Sequence, residues 1–198
     1  MQNQKKTPTL ILASSSPRRR QLLEADGLSP IVECADIDER RWDNEGAQDY
    51  VKRAAKLKAA AVAAHHSGED AFLIAADTIV VDGEHILGKP ASEADAILKL
   101  ENLSGHAHTV MTGVCVIDLK HQRELSDVVK TSVYFTQLNK QRILDYVATG
   151  EPMDKAGAYG IQGGAAGFVS KIDGSYTNVV GLPVCEIRHM LTTLGFFD

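Results

Sequence analysis

The chain has 198 residues, 44% of them apolar and 24% charged, with a formal net charge of -5. These proportions suit a globular domain with a sizeable core and exclude a disordered chain. The acidic balance argues against binding through bulk positive charge, so no nucleic-acid partner is expected.

Residues 1–8 are polar, include Lys5 and Lys6 and lack a signal-peptide apolar core. They are expected as a flexible tail ahead of a single domain over 9–198. Leu10-Ile11-Leu12-Ala13 reads as a buried strand running into Ser14-Ser15-Ser16-Pro17-Arg18-Arg19-Arg20. Ser16 suits an N-cap and Pro17 the first helical position, where a missing N–H has no consequence. A helix is therefore predicted from Pro17, with Leu22, Leu23 and Ala25 turned inward and Gly27 at its end. Residues 31–35 form a second predicted strand, left by the acidic loop Asp36-Ile37-Asp38-Glu39. Residues 47–65 read as a long alanine-rich helix, its inward side marked by Val51, Ala54, Ala55, Lys58 and Val62. The apolar run 71–76 suits a central strand; Asp77 interrupts it, and 78–81 continue it towards a hairpin turn at Asp82-Gly83. Residues 92–103 follow as a helix with Ser92 and Asp95 in capping-box register. Antiparallel strands are predicted over 110–118 and 128–135 across a polar loop at 120–123, then a helix over 139–149 ended by Gly150. A glycine-rich stretch fills 157–181, and a last helix begins near Val184. The irregular alternation favours an α/β fold with a mixed sheet flanked by helices. No run approaches the roughly 18 apolar residues of a membrane span, so no membrane association is expected. Cys34, Cys115 and Cys185 form no Cys-x-x-Cys pair and are expected as buried free thiols in a reducing cytoplasm.

The serine and arginine junction reads as an anion site. Helix N-terminal amides, the hydroxyls of Ser14 and Ser16 and the side chains of Arg18 and Arg19 converge there, and first-turn arginines oppose the helix dipole unless an anion offsets them. A solvated basic helix start is the alternative. A carboxylate inside an apolar strand is expensive unless paired, so Asp77 points to a metal ion or a proton transfer, or else to a strand-end aspartate facing water. Thr78 would take the other face of the strand. The segment 83–90 has the glycine and lysine spacing of a phosphate loop, but Pro90 supplies neither hydroxyl nor N–H, so it is not one. Lys89 remains as a cation for a phosphate or for Asp77, or as a surface lysine. Lys58, set among alanines, would by default snorkel to the surface. Asp154-Lys155 opens a run of small residues whose backbone a ligand can approach closely, with Gln162 the one long polar side chain at its centre. A closely packed loop is the alternative. His65-His66 and the pair His106 and His108 complete no zinc pattern and are expected to be structural or solvated.

Taken together, Ala13-Ser14-Ser15-Ser16-Pro17-Arg18-Arg19, Ala75-Ala76-Asp77-Thr78, Gly88-Lys89-Pro90, Asp154-Lys155-Ala156-Gly157-Ala158-Tyr159-Gly160-Ile161-Gln162-Gly163 and Val179-Val180-Gly181-Leu182-Pro183 resemble the Maf family of nucleoside triphosphate pyrophosphatases. The resemblance implies a cytoplasmic, metal-dependent enzyme that cleaves between the alpha and beta phosphates, usually a homodimer. It implies an elongated mixed α/β fold similar to that of inosine triphosphate pyrophosphatases. The residue matching the proton acceptor is Asp77, and Arg18, Thr78 and Gln162 match positions that bear on substrate choice. The Asp-Lys-Ala-Gly-Ala-Tyr-Gly-Ile-Gln-Gly form looks like the branch acting on dTTP and UTP. One departure is Gly164-Ala165-Ala166-Gly167, where a leucine-glycine pair is common. The chemistry agrees: a triphosphate repels an oxygen nucleophile, and Arg18, Lys58 and Lys89, with Lys155 nearby in motif context, are suitable cations. Glu39, Asp77 and Glu33 are the hard oxygen ligands expected for a magnesium or manganese ion. The amide of Gln162 offers an acceptor and donors that match the imide edge of uracil and thymine. The alternatives are a nucleotide-binding regulator of cell division or septum formation with little turnover, and a purine triphosphate pyrophosphatase.

Overall fold

The computed structural model describes residues 8–34 and 36–198. The expected tail, apart from Pro8, lies outside the described residues, as does Ala35 at the predicted end of the second strand. In chain order the elements are β1 (Thr9–Ala13), α1 (Pro17–Ala25), β2 (Ile31–Glu33), α2 (Ala47–Ala63), β3 (Ala71–Asp82), β4 (His85–Leu87) and α3 (Glu93–Leu103). There follow β5 (Ala107–Asp118), β6 (Arg123–Phe135), α4 (Lys140–Val147), β7 (Val169–Asp173), α5 (Tyr176–Val180) and α6 (Val184–Leu194). The strands form one mixed sheet in the order β2-β1-β3-β5-β6-β7, with β4 paired to β3. β1 runs parallel to β2 and β3, whereas β4 and β7 run antiparallel to β3 and β6. The expected α/β fold, a mixed sheet flanked by helices, is the one observed.

Local chemistry accounts for several helix starts. Ser16 occupies the N-cap of α1 with Pro17 behind it, but its hydroxyl makes no cap bond. Ser92 accepts from the Asp95 N–H (3.2 Å) and Asn139 from the Arg142 N–H (2.9 Å), each supplying one partner that a helix start lacks. At the hairpin, the pairing of Asp82 with His85 leaves Gly83-Glu84 as the loop, with Gly83 at a φ of 57°.

The structure corrects several expectations. β3 runs unbroken through Asp77, and β5 and β6 start earlier than predicted. β7 and α5 lie within the stretch predicted only as glycine-rich. On α1, Ala25 is exposed, and Arg19 is buried with Leu23 one turn on. All three cysteines are free, but only Cys115 is buried. Cys34 follows the edge strand β2, and Cys185 stands on the outer side of α6.

The chain divides into two compact units. The first takes the described residues up to Asp77, Gly113–Val128 and Leu182–Asp198; the second takes Thr78–Thr112 and Val129–Gly181. In the first unit, strand alternation splits the core. Leu10, Leu12, Phe72 and Ile74 pack with Leu23 of α1 and Ile187 and Leu191 of α6. Ile11, Ala13, Leu73 and Ala75 pack with Ala55, Ala59 and Val62 of α2. The second unit is built around Leu100 and Leu103 of α3, Ile143 and Tyr146 of α4, and Phe135 and Phe168. Among the described residues, no helix is long and apolar enough to cross a membrane.

Candidate active site

The alternation that gives Leu73 and Ala75 to the α2 side of β3 gives Asp77 to it as well. Asp77 is buried, and its Oδ1 lies 2.6 Å from Nζ of Lys58 on α2. The same ammonium stands 2.8 Å from Oε2 of Glu39. Lys58 therefore does not snorkel to water; its side chain is 16% exposed and it serves two carboxylates. Isolated in an apolar strand, Asp77 would face a desolvation penalty of several kcal/mol, which this pairing offsets.

The arginine run splits three ways, because successive helical residues point about 100° apart. Arg20 pairs with Glu24 at the surface (2.7 Å), Arg18 is half-buried and Arg19 is buried. Nη1 of Arg19 donates to Oγ of Ser14 (3.0 Å) and to the carbonyl of Ala76 (2.8 Å). Ser14 also accepts from the Ser16 N–H at 3.3 Å. Arg19 thus ties the end of β1 to the residue before Asp77. Burial lowers its pKa, and the Asp77 carboxylate opposes that shift.

Residues absent from the sequence-based expectation complete this side. Tyr50, Ala54 and Lys58 recur at intervals of four along α2, a spacing that could have drawn attention to the tyrosine. Burial raises the Tyr50 pKa, and the charges of Asp77 and Glu39 raise it further. Arg53 anchors the loop that carries Glu39: it bonds Glu45 (2.6 and 2.7 Å) and the carbonyl of Arg40 (3.0 Å), and lies 3.9 Å from the Trp42 ring centroid.

Glu33 is placed elsewhere. On β2 it meets Nδ1 of His65 (2.9 Å) and Nε2 of His66 (2.7 Å), beyond the end of α2, and those hydrogen bonds lower its pKa. Among the described residues, no group of three or more His, Cys, Asp or Glu side chains is arranged to hold a metal ion. His106 pairs with Asp82 (3.1 Å), and His108 is buried against Tyr159 (2.8 Å), where desolvation lowers its pKa to about 4.

The remaining candidates belong to the second unit. Oγ1 of Thr78 lies 3.0 Å from Oγ1 of Thr112 and 3.3 Å from the Gly181 carbonyl. Lys89 is exposed just past β4. Nζ of Lys155 contacts the Glu151 carbonyl and Oδ1 of Asp154, both at 2.6 Å. Gln162 is exposed at the middle of its loop. Direct contacts therefore join Ser14, Ser16, Arg19 and the Ala76 backbone on one side of Asp77, and Lys58 and Glu39 on the other.

A HAM1 protein from Coxiella burnetii shares the fold, with a TM-score of 0.52 across 94% of this chain and 99% of that one at 14% identity. The architecture is thus that of a known class of α/β proteins. Within it, residues 9–194 match the family described as Maf-like protein, and the chain belongs to that family. A dTTP/UTP pyrophosphatase of Citrifermentans bemidjiense is 47% identical over 190 residues, covering 96% of this chain and 97% of its own. One from Geobacter metallireducens is 50% identical over 186 residues, covering 94% and 96%.

Proposed function

We propose that this chain is a nucleoside triphosphate pyrophosphatase that hydrolyses dTTP and UTP to the monophosphate and pyrophosphate. The observation that carries the proposal is Lys58 held between Asp77 and Glu39, in a chain whose relatives, matched almost end to end, bear that name. Water attacks the alpha phosphorus as the bond to the bridging oxygen breaks, and pyrophosphate leaves with the bonding pair. Asp77 takes the proton from the water, a role worth about 10²–10⁴ in rate. Arg19 holds the Ala76 carbonyl and so fixes the backbone beside that base. Lys58 and Arg18 meet phosphoryl oxygens as charge shifts onto them. Ser14 and Ser16 shape the turn before α1, where amides favour an anion.

A divalent cation fits the donor set. Two carboxylates already share one cation here, at 2.6 and 2.8 Å, and magnesium is commonly held by one or two carboxylates with water and substrate phosphate completing the shell. Glu39 and Asp77 would hold it; Glu33 is engaged by the histidines. When bound, magnesium or manganese supplies Lewis-acid stabilisation and a more acidic water.

In the second unit, Lys89 and Lys155 are assigned to the phosphates and Thr78 to substrate choice. Gln162 reads the imide edge of the base, pairing with an N–H and its neighbouring carbonyl together. Cytosine presents the reverse order. The protein would act in the cytoplasm as a homodimer in nucleotide-pool control or removal of modified nucleotides. Pyrophosphate release from dTTP, UTP, CTP, dGTP and inosine triphosphate, with and without magnesium, tests the proposal. Metal-dependent release led by dTTP and UTP is expected, and Gln162→Glu should lower the UTP to CTP preference at least about tenfold. A purine preference, or an unchanged ratio in the variant, would contradict the substrate assignment.

A further inference from the structure

The loop bearing Gln162 is clamped at both ends by one carboxylate and one phenol. The Tyr146 hydroxyl accepts from the Gly160 N–H (3.0 Å) and donates to Oε1 of Glu151 (3.0 Å). Oε2 of Glu151 accepts from the Gly164 N–H at 2.9 Å. Gly160 and Gly164 flank Gln162 by two residues on each side, so a single relay fixes the whole turn. A further backbone bond from the Gly163 N–H to the Gly160 carbonyl (3.1 Å) closes it.

The glycines of this loop let its backbone lie close against the side chains around it. A Cβ on Gly160 would stand 2.7 Å from Cε of Lys155 and 3.0 Å from Oε1 of Glu151, and one on Gly163 would stand 2.5 Å from Cδ of Glu151 and closer still to its Oε1. At Gly164 a Cβ would meet Cδ2 of Tyr146 at 3.0 Å. At Gly163 and Gly164 the backbone comes this near to Glu151 and Tyr146, the pair that the Gly160 and Gly164 N–H groups meet. Tyr146 is buried, and burial raises its pKa, so it stays a neutral donor. Glu151 is itself held in place, because its backbone carbonyl accepts from Nζ of Lys155 (2.6 Å).

We propose that Glu151 is a positioning residue for base selectivity, acting through the loop that presents Gln162. The inference rests on the assignment of Gln162 to the uracil and thymine edge. An exposed glutamine pairs with one base edge most effectively when the backbone that carries it is already held in place, since a mobile loop loses more freedom on pairing and lets the amide reach other edges as well. Among the described residues no hydrogen bond holds the Gln162 amide itself; the Glu151 relay fixes the backbone that carries it, and with that the place from which the amide reaches a base.

The test is a comparison of kcat and KM for UTP and CTP in the wild type, Glu151→Ala, Glu151→Gln, Gly163→Ala, Gln162→Ala and the double variant Glu151→Ala with Gln162→Ala. Glu151→Ala is expected to lower the UTP to CTP ratio of kcat/KM about tenfold, chiefly through a higher KM for UTP. Glu151→Gln keeps one acceptor of two and should fall between. Gly163→Ala displaces the carboxylate without removing it and should resemble Glu151→Ala. In the double variant, loss of Gln162 should lower the ratio no further, the coupling expected of residues acting as one unit. A general loss of stability slows both nucleotides alike and leaves the ratio unmoved. If Gln162→Ala collapses the ratio while Glu151→Ala and Glu151→Gln preserve it, Glu151 has no such role and the base assignment stands. If Gln162→Ala itself preserves the ratio, the base assignment fails and the inference with it. Should Glu151→Ala not fold, Glu151→Gln and Gly163→Ala decide.

Discussion

Asp77 and Lys58 are each anomalous alone and consistent together. The sequence shows a carboxylate in an apolar strand and an ammonium among alanines, so both were legible as oddities; their pairing was not, because it needs the packing of α2 on β3. With Lys58→Met, Asp77 and Glu39 would lose their common cation, and urea unfolding should show a loss of about 3 kcal/mol. Added magnesium should recover more stability in that variant than in the wild type. A second group gives a pH signature. His108 is buried, its Nδ1 has no hydrogen-bond partner among the described residues, and desolvation lowers its pKa to about 4, against about 6.5 for an unfolded histidine. Between those values the unfolded chain binds a proton that the folded chain refuses, so stability falls as pH drops from 6.5 to 4, by up to about 3 kcal/mol. Denaturant titrations over that range should show the fall in the wild type and a shallower one in His108→Gln, which has no titrating ring. Arg19 was legible only as one of three arginines, since the run carries no phase; its burial came from Ser14 and Ala76, contacts that only folding creates.

Helix α2 carries Tyr50, Arg53 and Lys58, so its seat on the sheet sets the candidate site. That seat depends on Gly113 of β5. A Cβ there would fall on the Val51 carbonyl oxygen, 2.6 Å from its carbon and 2.9 Å from N of Lys52, all backbone atoms that cannot turn aside. Gly113→Ala is therefore expected to shift α2, destabilise the fold by about 1–3 kcal/mol and lower kcat as Lys58 moves from Asp77. A thermal melt and a rate at saturating UTP would check both effects. The long elements were legible because periodicity spoke for them: alternation for β3, three-and-four spacing for α2, caps for α3 and α4. The elements missed were short and contradicted by their own composition. Tyr176–Val180 is rich in β-branched residues, yet it forms a helix because Ser175 accepts from the Asn178 N–H (3.2 Å) and Asn178 bonds the Val110 carbonyl (3.2 Å) and Thr131 (2.9 Å). β7 is half exposed at the edge of the sheet and is defined by its partner β6 more than by any apolar alternation.

For an acidic protein to bind a polyanion, cations must be gathered locally, and the junction of β1 with α1 together with Lys58 gathers them. Five short motifs in the right order made the family legible in the sequence, and residues 9–194 match it. The supports were not legible: Glu45 and Arg53 behind Glu39, and Tyr146 and Glu151 behind Gln162, carry no motif and act by contact. If Asp77 takes the proton from the water that cleaves UTP and dTTP between the alpha and beta phosphates, UTP hydrolysis in oxygen-18 water by the wild type gives labelled UMP and equimolar unlabelled pyrophosphate. In Asp77→Asn kcat should fall at least about 100-fold while Lys58 keeps Glu39 and the protein stays folded. Release of orthophosphate with UDP, or an undiminished rate in Asp77→Asn, would contradict it.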